Sequence, residues 1–249
     1  MKLICCGSGS SGNSYVLTDG EEALVLDCGV RFLEVKKALD FNVRQIRGAV
    51  VSHVHGDHSA YAKEYEASGI AVWRPYLAAG DVRKGEPYST ESLRQSSQFG
   101  GFKVQSFDLI HDVPCCGFLV SHKSFGKLVY VTDTEFVRYR FKGVNTLLVE
   151  ANYDEEYIDK SAAKAMHVLT GHQSLQTAIG FIQANASESL DHVVLCHLSQ
   201  TGNASPVEFK KAAEGIVPTG CMVDIAEPGL IVDLSDVPFS WRIWCFGRA

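Results

Sequence analysis

Short apolar runs that break off at a histidine or an aspartate organise this 249-residue chain. Ala49 to Ser52 leads into His53, Val104 to Ile110 into His111, Leu128 to Thr132 into Asp133, and Val193 to Cys196 into His197. Runs of that length, rich in valine and leucine, read as buried strands. A polar group at the end of each would be held by a rigid sheet and presented to the loops beyond it. Further strands are expected at Lys2 to Cys6, Ser14 to Thr18 and Ala23 to Asp27, the last two joined by the hairpin signal Asp19-Gly20. Others fall at Ala71 to Arg74, Phe102 to Phe107, Gly117 to Val120, Thr146 to Glu150, His192 to Cys196, Cys221 to Ile225 and Leu230 to Asp233. Helical spacing of apolar residues marks Arg31 to Leu39, Ser59 to Ala67, a helix beginning near Leu175 and another at Val207 to Glu214. Both halves mix strands and helices, so an α/β fold in one domain over residues 1–249 is expected. Lys84 to Gln98, the most polar stretch, reads as an exposed loop or short helix.

The cluster His53-Val54-His55-Gly56-Asp57-His58 carries the chemistry. Where extended chain passes into a loop, His53 and His55 are two apart and converge on one ion, while Asp57 and His58, one turn on, face a neighbouring ion. Four ligands do not complete two shells, and His111, Asp133 and His197 are the strand-end partners available. Imidazole suits zinc, whereas the carboxylates also accommodate manganese or iron. His122, His167 and His192 lack such context and read as structural.

Composition limits the setting. A net charge of −6 excludes a broadly basic nucleic-acid coat, so any site for a polyanion is local. No apolar stretch is long enough to span a bilayer, and the first residues lack the apolar segment of an export signal. A cytoplasmic location with no membrane partner is expected, and no signal sets an oligomeric state. The eight cysteines include no Cys-x-x-Cys pair and read as reduced thiols.

Taken with LVLDCG around Asp27, YVTDT around Asp133 and CHLS around His197, the histidine block resembles the metallo-β-lactamase fold superfamily along nearly the whole chain. The resemblance implies a four-layer αβ/βα sandwich with a dinuclear metal site. It assigns His53, His55 and His111 to one divalent ion, Asp57, His58 and His197 to the other, and Asp133 to the bridge. GSGSSGNS at Gly7 to Ser14, HDVPCCGF from His111, LLVEANYD from Leu147, TGHQS from Thr170 and HLSQTGN from His197 are similar to the YycJ-like branch of metal-dependent hydrolases and DNA exonucleases. Val54 and Gly56 depart from the residues common in that branch, at positions that are not ligands. Asp133, where the best-known zinc β-lactamases have cysteine, argues against lactam hydrolysis.

The implied reaction is phosphodiester hydrolysis by a hydroxide shared between two cations and oriented by Asp57 or Asp133. His172 resembles the histidine of the ribonuclease Z His-Ser-Thr loop and would protonate the leaving oxygen; the plainer reading is a histidine packed beside a helix start. Ser10, Ser11 and Asn13 offer donors to a phosphate, against the plainer reading of a tight turn. Nucleic acid, with DNA favoured, is the expected substrate. Arg138, Arg140 and Lys142 would guide its backbone, although a solvated stretch is the blander account. Thioester or lactone hydrolysis, hydrolysis of a small cyclic phosphodiester, and a non-catalytic metal-bearing scaffold are the alternatives.

Overall fold

The apolar runs pair into two sheets in a computed structural model that describes residues 1–80, 88–158, 165–199 and 205–235, with backbone alone at 165–167. The first half supplies β1 (Lys2–Gly7), β2 (Ser14–Thr18), β3 (Ala23–Leu26), α1 (Phe32–Ala38), β4 (Ile46–Val50), α2 (Gly56–Ser59), α3 (Ala62–Ala67) and β5 (Val72–Trp73). Then come β6 (Ser96–Phe99), β7 (Phe102–Leu109), β8 (Cys115–His122), β9 (Gly126–Val131), β10 (Thr146–Glu150), α4 (Ala165–Gly171), α5 (Leu175–Asn185), β11 (His192–Cys196), α6 (Pro206–Glu214), β12 (Met222–Ile225) and β13 (Ile231–Asp233). One sheet runs β13-β1-β2-β3-β4-β5 and the other β12-β11-β10-β9-β8-β7-β6.

Period-two alternation sorts the side chains into layers. Leu128, Tyr130 and Leu148 join the core shared with the first sheet. Their neighbours Val129, Val131, Leu147 and Val149 face outward and pack with Leu175, Ala178, Ile182 and Phe209 of α5 and α6. Strands covered on both faces read as continuous apolar runs. With α1 against β1 and β2, the result is the expected αβ/βα sandwich.

Strand direction gathers the chemistry at one edge. β9, β10 and β11 are parallel, and β7 points the same way because β8 is antiparallel to both β7 and β9. In the other sheet β3 and β4 are parallel, and two antiparallel steps align β1 with them. The ends of the two sheets are joined where Cys116 N donates to Ser52 O at 3.0 Å and His197 N donates to Ser8 Oγ at 2.9 Å.

Two expectations are corrected. Within the stretch expected as loop or short helix, Thr90–Leu93 does form one short helical turn, but Ser96–Gln98 belongs to β6, paired antiparallel with β7. It is an edge strand whose first three residues, Ser96, Ser97 and Gln98, are polar and part-exposed, which hides the usual apolar signal. The helix expected at Ser59 to Ala67 divides into α2 and α3, because the His58 carbonyl accepts from Cys28 N (2.8 Å) and Tyr61 N donates to Cys28 O (3.0 Å). The loop after β3 thus takes bonds that would have continued the helix. Residues 84–87, the 200–203 part of HLSQTGN, the side chain of His167 and the tail from Phe239 lie outside the described residues.

Candidate metal centre

β4 ends at Val50, and the extended residues beyond it carry His53 into the seam between the sheets, followed by His55 and, on α2, Asp57 and His58. From the facing sheet come His111 after β7, Asp133 after β9 and His197 after β11. Ligand-type atoms of His53, His55, His111 and Asp133 lie within 4.8 Å of one another, as do those of Asp57, His58, Asp133 and His197. Asp133 belongs to both sets, one oxygen to each. Its Oδ2 is 3.8 Å from His53 Nε2 and 4.0 Å from His111 Nε2, while its Oδ1 is 3.1 Å from His58 Nε2 and 3.8 Å from His197 Nε2. His111 Nε2 is 3.2 Å from His55 Nδ1, and Asp57 Oδ2 is 3.3 Å from His197 Nε2. All seven side chains named from the sequence are therefore gathered.

Asp27, Asp133 and His197 leave their strands with φ of 61°, 39° and 53°. Left-handed backbone at a non-glycine residue costs on the order of 1–3 kcal/mol and is kept where surrounding structure enforces it. The turns are tight: a Cβ on Gly29 would lie 1.7 Å from Asp57 O, so only glycine lets the two loops meet.

Each inward-facing imidazole is fixed from behind. His58 Nδ1 donates to Asp27 Oδ2 (2.7 Å), an oxygen that also accepts from Tyr130 Oη (2.6 Å) and Ser52 Oγ (3.0 Å), while Asp27 Oδ1 accepts from Ser52 N (2.7 Å). His111 Nδ1 donates to Gly171 O (2.9 Å), and His53 Nδ1 contacts Ser52 Oγ at 2.9 Å. His197 Nδ1 donates to Glu150 Oε1 at 2.9 Å. Such backing sets the tautomer that leaves Nε2 free to ligate.

The donor set fits a pair of divalent cations. The Nε2 atom of His53 is buried with no hydrogen-bond partner. Two bonds of about 2 Å to one ion put ligand atoms roughly 3–4 Å apart, the spacing found here. Electrostatics agree. Burial, then the neighbouring His58, push the His53 imidazole well below its ordinary pKa, and burial takes His111 down to about 4. Burial opposes charge on His58 and His197 too, yet Asp133 and Asp27 raise the first, and Asp133, Asp57 and Glu150 raise the second to about 10. Against the same burial, hydrogen bonds with His197 and His58 keep Asp57 ionised, and the charges of His197 and His58 do so for Asp133. The pocket attracts positive charge, as protons or as metal.

His172 stands beside this cluster. Its Nδ1 is 2.7 Å from Glu150 Oε1, and its ring stacks on His197 at 5.2 Å between centroids. Burial disfavours its charge, but the charge and hydrogen bond of Glu150 outweigh that and raise its pKa. Glu150, not singled out from the sequence, also accepts from Thr134 N (3.1 Å) and Gln173 N (3.2 Å). Its signal was a carboxylate closing an apolar strand, since buried acids are almost always paired. Asp112 is a second addition, with Oδ1 3.2 Å from His55 Nε2 and 3.3 Å from His111 Nε2. Ser10 and Ser11 are exposed at the tip of the Gly/Ser turn. Asn13 is buried, accepts from Gly9 N (2.8 Å), donates to Asp57 O (3.3 Å) and puts its amide nitrogen 3.0 Å from His58 Nε2. His122 is a structural residue, stacked on Phe102 and bonded to Glu22 Oε1 at 2.9 Å.

The family model of the Metallo-beta-lactamase superfamily matches residues 7–164. The chain is similar to the exodeoxyribonuclease YycJ of Bacillus anthracis, 26% identical over 215 residues that cover 79% of this chain and 81% of that protein. It is likewise similar to the exodeoxyribonuclease WalJ of Streptococcus pneumoniae, 26% identical over 225 residues covering 81% and 83%. Among solved structures, the metallo-beta-lactamase fold protein YhfI from Bacillus subtilis superposes with a TM-score of 0.66 at 17% identity, over 93% of this chain and 99% of that one.

Proposed function

This chain belongs to the metallo-beta-lactamase superfamily, and we propose that it is a dinuclear metal-dependent phosphodiesterase that degrades DNA as an exonuclease in the cytoplasm. The observation that carries the reading is Asp133, whose two oxygens each face a separate set of ligand atoms across the seam. The names of the two exodeoxyribonuclease relatives support DNA as the substrate.

His53, His55 and His111 would hold one cation, Asp57, His58 and His197 the other, and Asp133 would serve both. When bound, the pair, zinc by imidazole preference or manganese or iron, would polarise a phosphoryl oxygen and acidify the attacking water. Asp57, held ionised beside His58 and His197, or Asp133 would orient that water. Glu150 fixes the proton of His172 on Nδ1 and favours the doubly protonated ring. His172 Nε2 then delivers its proton to the departing alkoxide, which is general acid catalysis. The buried Asp27, Tyr130 and Ser52 orient His58 and His53 and take no part in bond changes.

The test is elemental analysis of the purified protein together with a panel of end-labelled single- and double-stranded DNA and RNA. Two equivalents of metal and progressive shortening of DNA from one end are expected. Protein holding two metals that leaves every phosphodiester intact would refute the reading.

A further inference from the structure

Between Asp133 and β10 the chain crosses α5 as an extended strap. Val137, Tyr139 and Phe141 pack into the outer core, while Phe136, Arg138, Arg140 and Lys142 alternate with them and are exposed. This is the two-residue period of extended chain, so the cations follow one another on one side about 7 Å apart. The strap is anchored: Tyr139 Oη donates to Asp108, and Phe141 N donates to Asn185 Oδ1 at the end of α5 (2.6 Å).

Strap and helix border a half-open cavity of about 190 Å³ lined by Phe136, Arg138, Arg140, Gln173, Thr177 and Phe181, among others. That is space for one planar heterocycle. Gln173 is fully buried, and neither its amide nitrogen nor its amide oxygen has a hydrogen-bond partner. Native folds seldom leave such a group unsatisfied, and a ligand that completes it is one explanation. Its lining is linked to the metal centre along the chain, since Gln173 follows His172 and Phe136 lies three residues beyond Asp133.

We propose that this cavity is the subsite for the nucleotide next to the scissile phosphate of a single DNA strand, an inference that rests on the phosphodiesterase reading. The base stacks on Phe136, and the Gln173 side chain turns out from its buried position to meet the base edge with an amide that offers both a donor and acceptors and so tolerates any base. Arg138 and Arg140 face the phosphates on either side. Arg140 carries more of that load, because Arg138 Nη2 also lies 4.0 Å from Asp108 Oδ2.

The experiment measures fluorescence anisotropy of a fluorescein-labelled decathymidylate with the full chain in chelator, where no turnover occurs, across a salt series. The Arg138→Ala/Arg140→Ala variant should lose at least tenfold in affinity, and the slope of log K against log salt should fall by about 1.4, or roughly 0.7 per phosphate. Phe136→Ala should lose about tenfold. Gln173→Leu should bind more weakly while melting at a higher temperature, having lost its unsatisfied amide. Arg44→Ala, an exposed arginine before β4 at the opposite end of that sheet, should match the parent chain. Unchanged affinity in the double variant, or an equal loss in Arg44→Ala, would overturn the subsite. Binding without hydrolysis by the metal-loaded parent would instead overturn the phosphodiesterase reading and leave the subsite standing.

Discussion

Replacing Asp27 with asparagine changes one atom and should reach both the fold and the metal. Asp27 Oδ1 accepts from Ser52 N at 2.7 Å, and a backbone N–H can only donate. The asparagine oxygen must therefore occupy that position, since the reverse orientation would set two donors against each other. Its NH2 then replaces Oδ2, 2.7 Å from His58 Nδ1. To avoid a second donor clash His58 must accept at Nδ1, which moves its proton to Nε2 and removes the lone pair that would ligate metal. Loss of such an orienting partner typically costs 10–100-fold in metal affinity, about 1.4–2.8 kcal/mol at 1.4 kcal/mol per tenfold. The site proposed for Asp57, His58 and His197 should weaken, while that of His53, His55 and His111 keeps its affinity. Calorimetric titration of the metal-free variant with zinc or manganese reads both steps. Two steps of parental affinity would refute the tautomer argument, and equal weakening of both would show that Asp27 acts through general destabilisation.

Three further outcomes are expected. His172→Ala should keep its metal and lose about 10²–10⁴-fold in DNA hydrolysis. The parent should slow as pH rises through the His172 pKa and its proton is lost; a pH–rate profile showing the same alkaline limb in the variant would remove His172 as the acid. Saturating cation at about 100 times Kd should stabilise the fold by about 2.7 kcal/mol per site, a rise in Tm of roughly 5–10 °C by scanning calorimetry. Removing the metal with chelator should reverse it, and an unchanged Tm would count against a built site. Glu22 accepts from Gly101 N at 2.9 Å, which with His122 holds its pKa below the usual glutamate value. A depressed carboxylate adds stability above its unfolded pKa and loses it as pH falls through the folded one. Glu22→Gln should accordingly be less stable than the parent in urea melts at pH 7, with the difference closing below about pH 4; a gap independent of pH would point to packing instead.

His53, His111, Asp133 and His197 were legible because each stands where a strand run stops, and His55, Asp57 and His58 because they crowd the turn that follows His53; a sheet turns that one-dimensional punctuation into a shared edge. Asp27 and Glu150 were written in the same way, closing ALVLD and TLLVE, yet their work is to bond other side chains, and partners distant in sequence leave no spacing to read. Asn13 was read as a phosphate donor or part of a tight turn, and it is buried because its side chain bridges that turn to the Asp57 carbonyl. The edge strand at Ser96 escaped because half its side chains face water, where β pairing needs no apolar residue.

Each group of ligand atoms takes two members from either sheet: His53 and His55 meet His111 and Asp133, while Asp57 and His58 meet Asp133 and His197. Cations seated there would act as rivets through a joint whose leaves are otherwise fastened by packing and a few hydrogen bonds. Any breathing of the joint would loosen both seats, so filling them should slow hydrogen exchange at the facing strand ends as a single block.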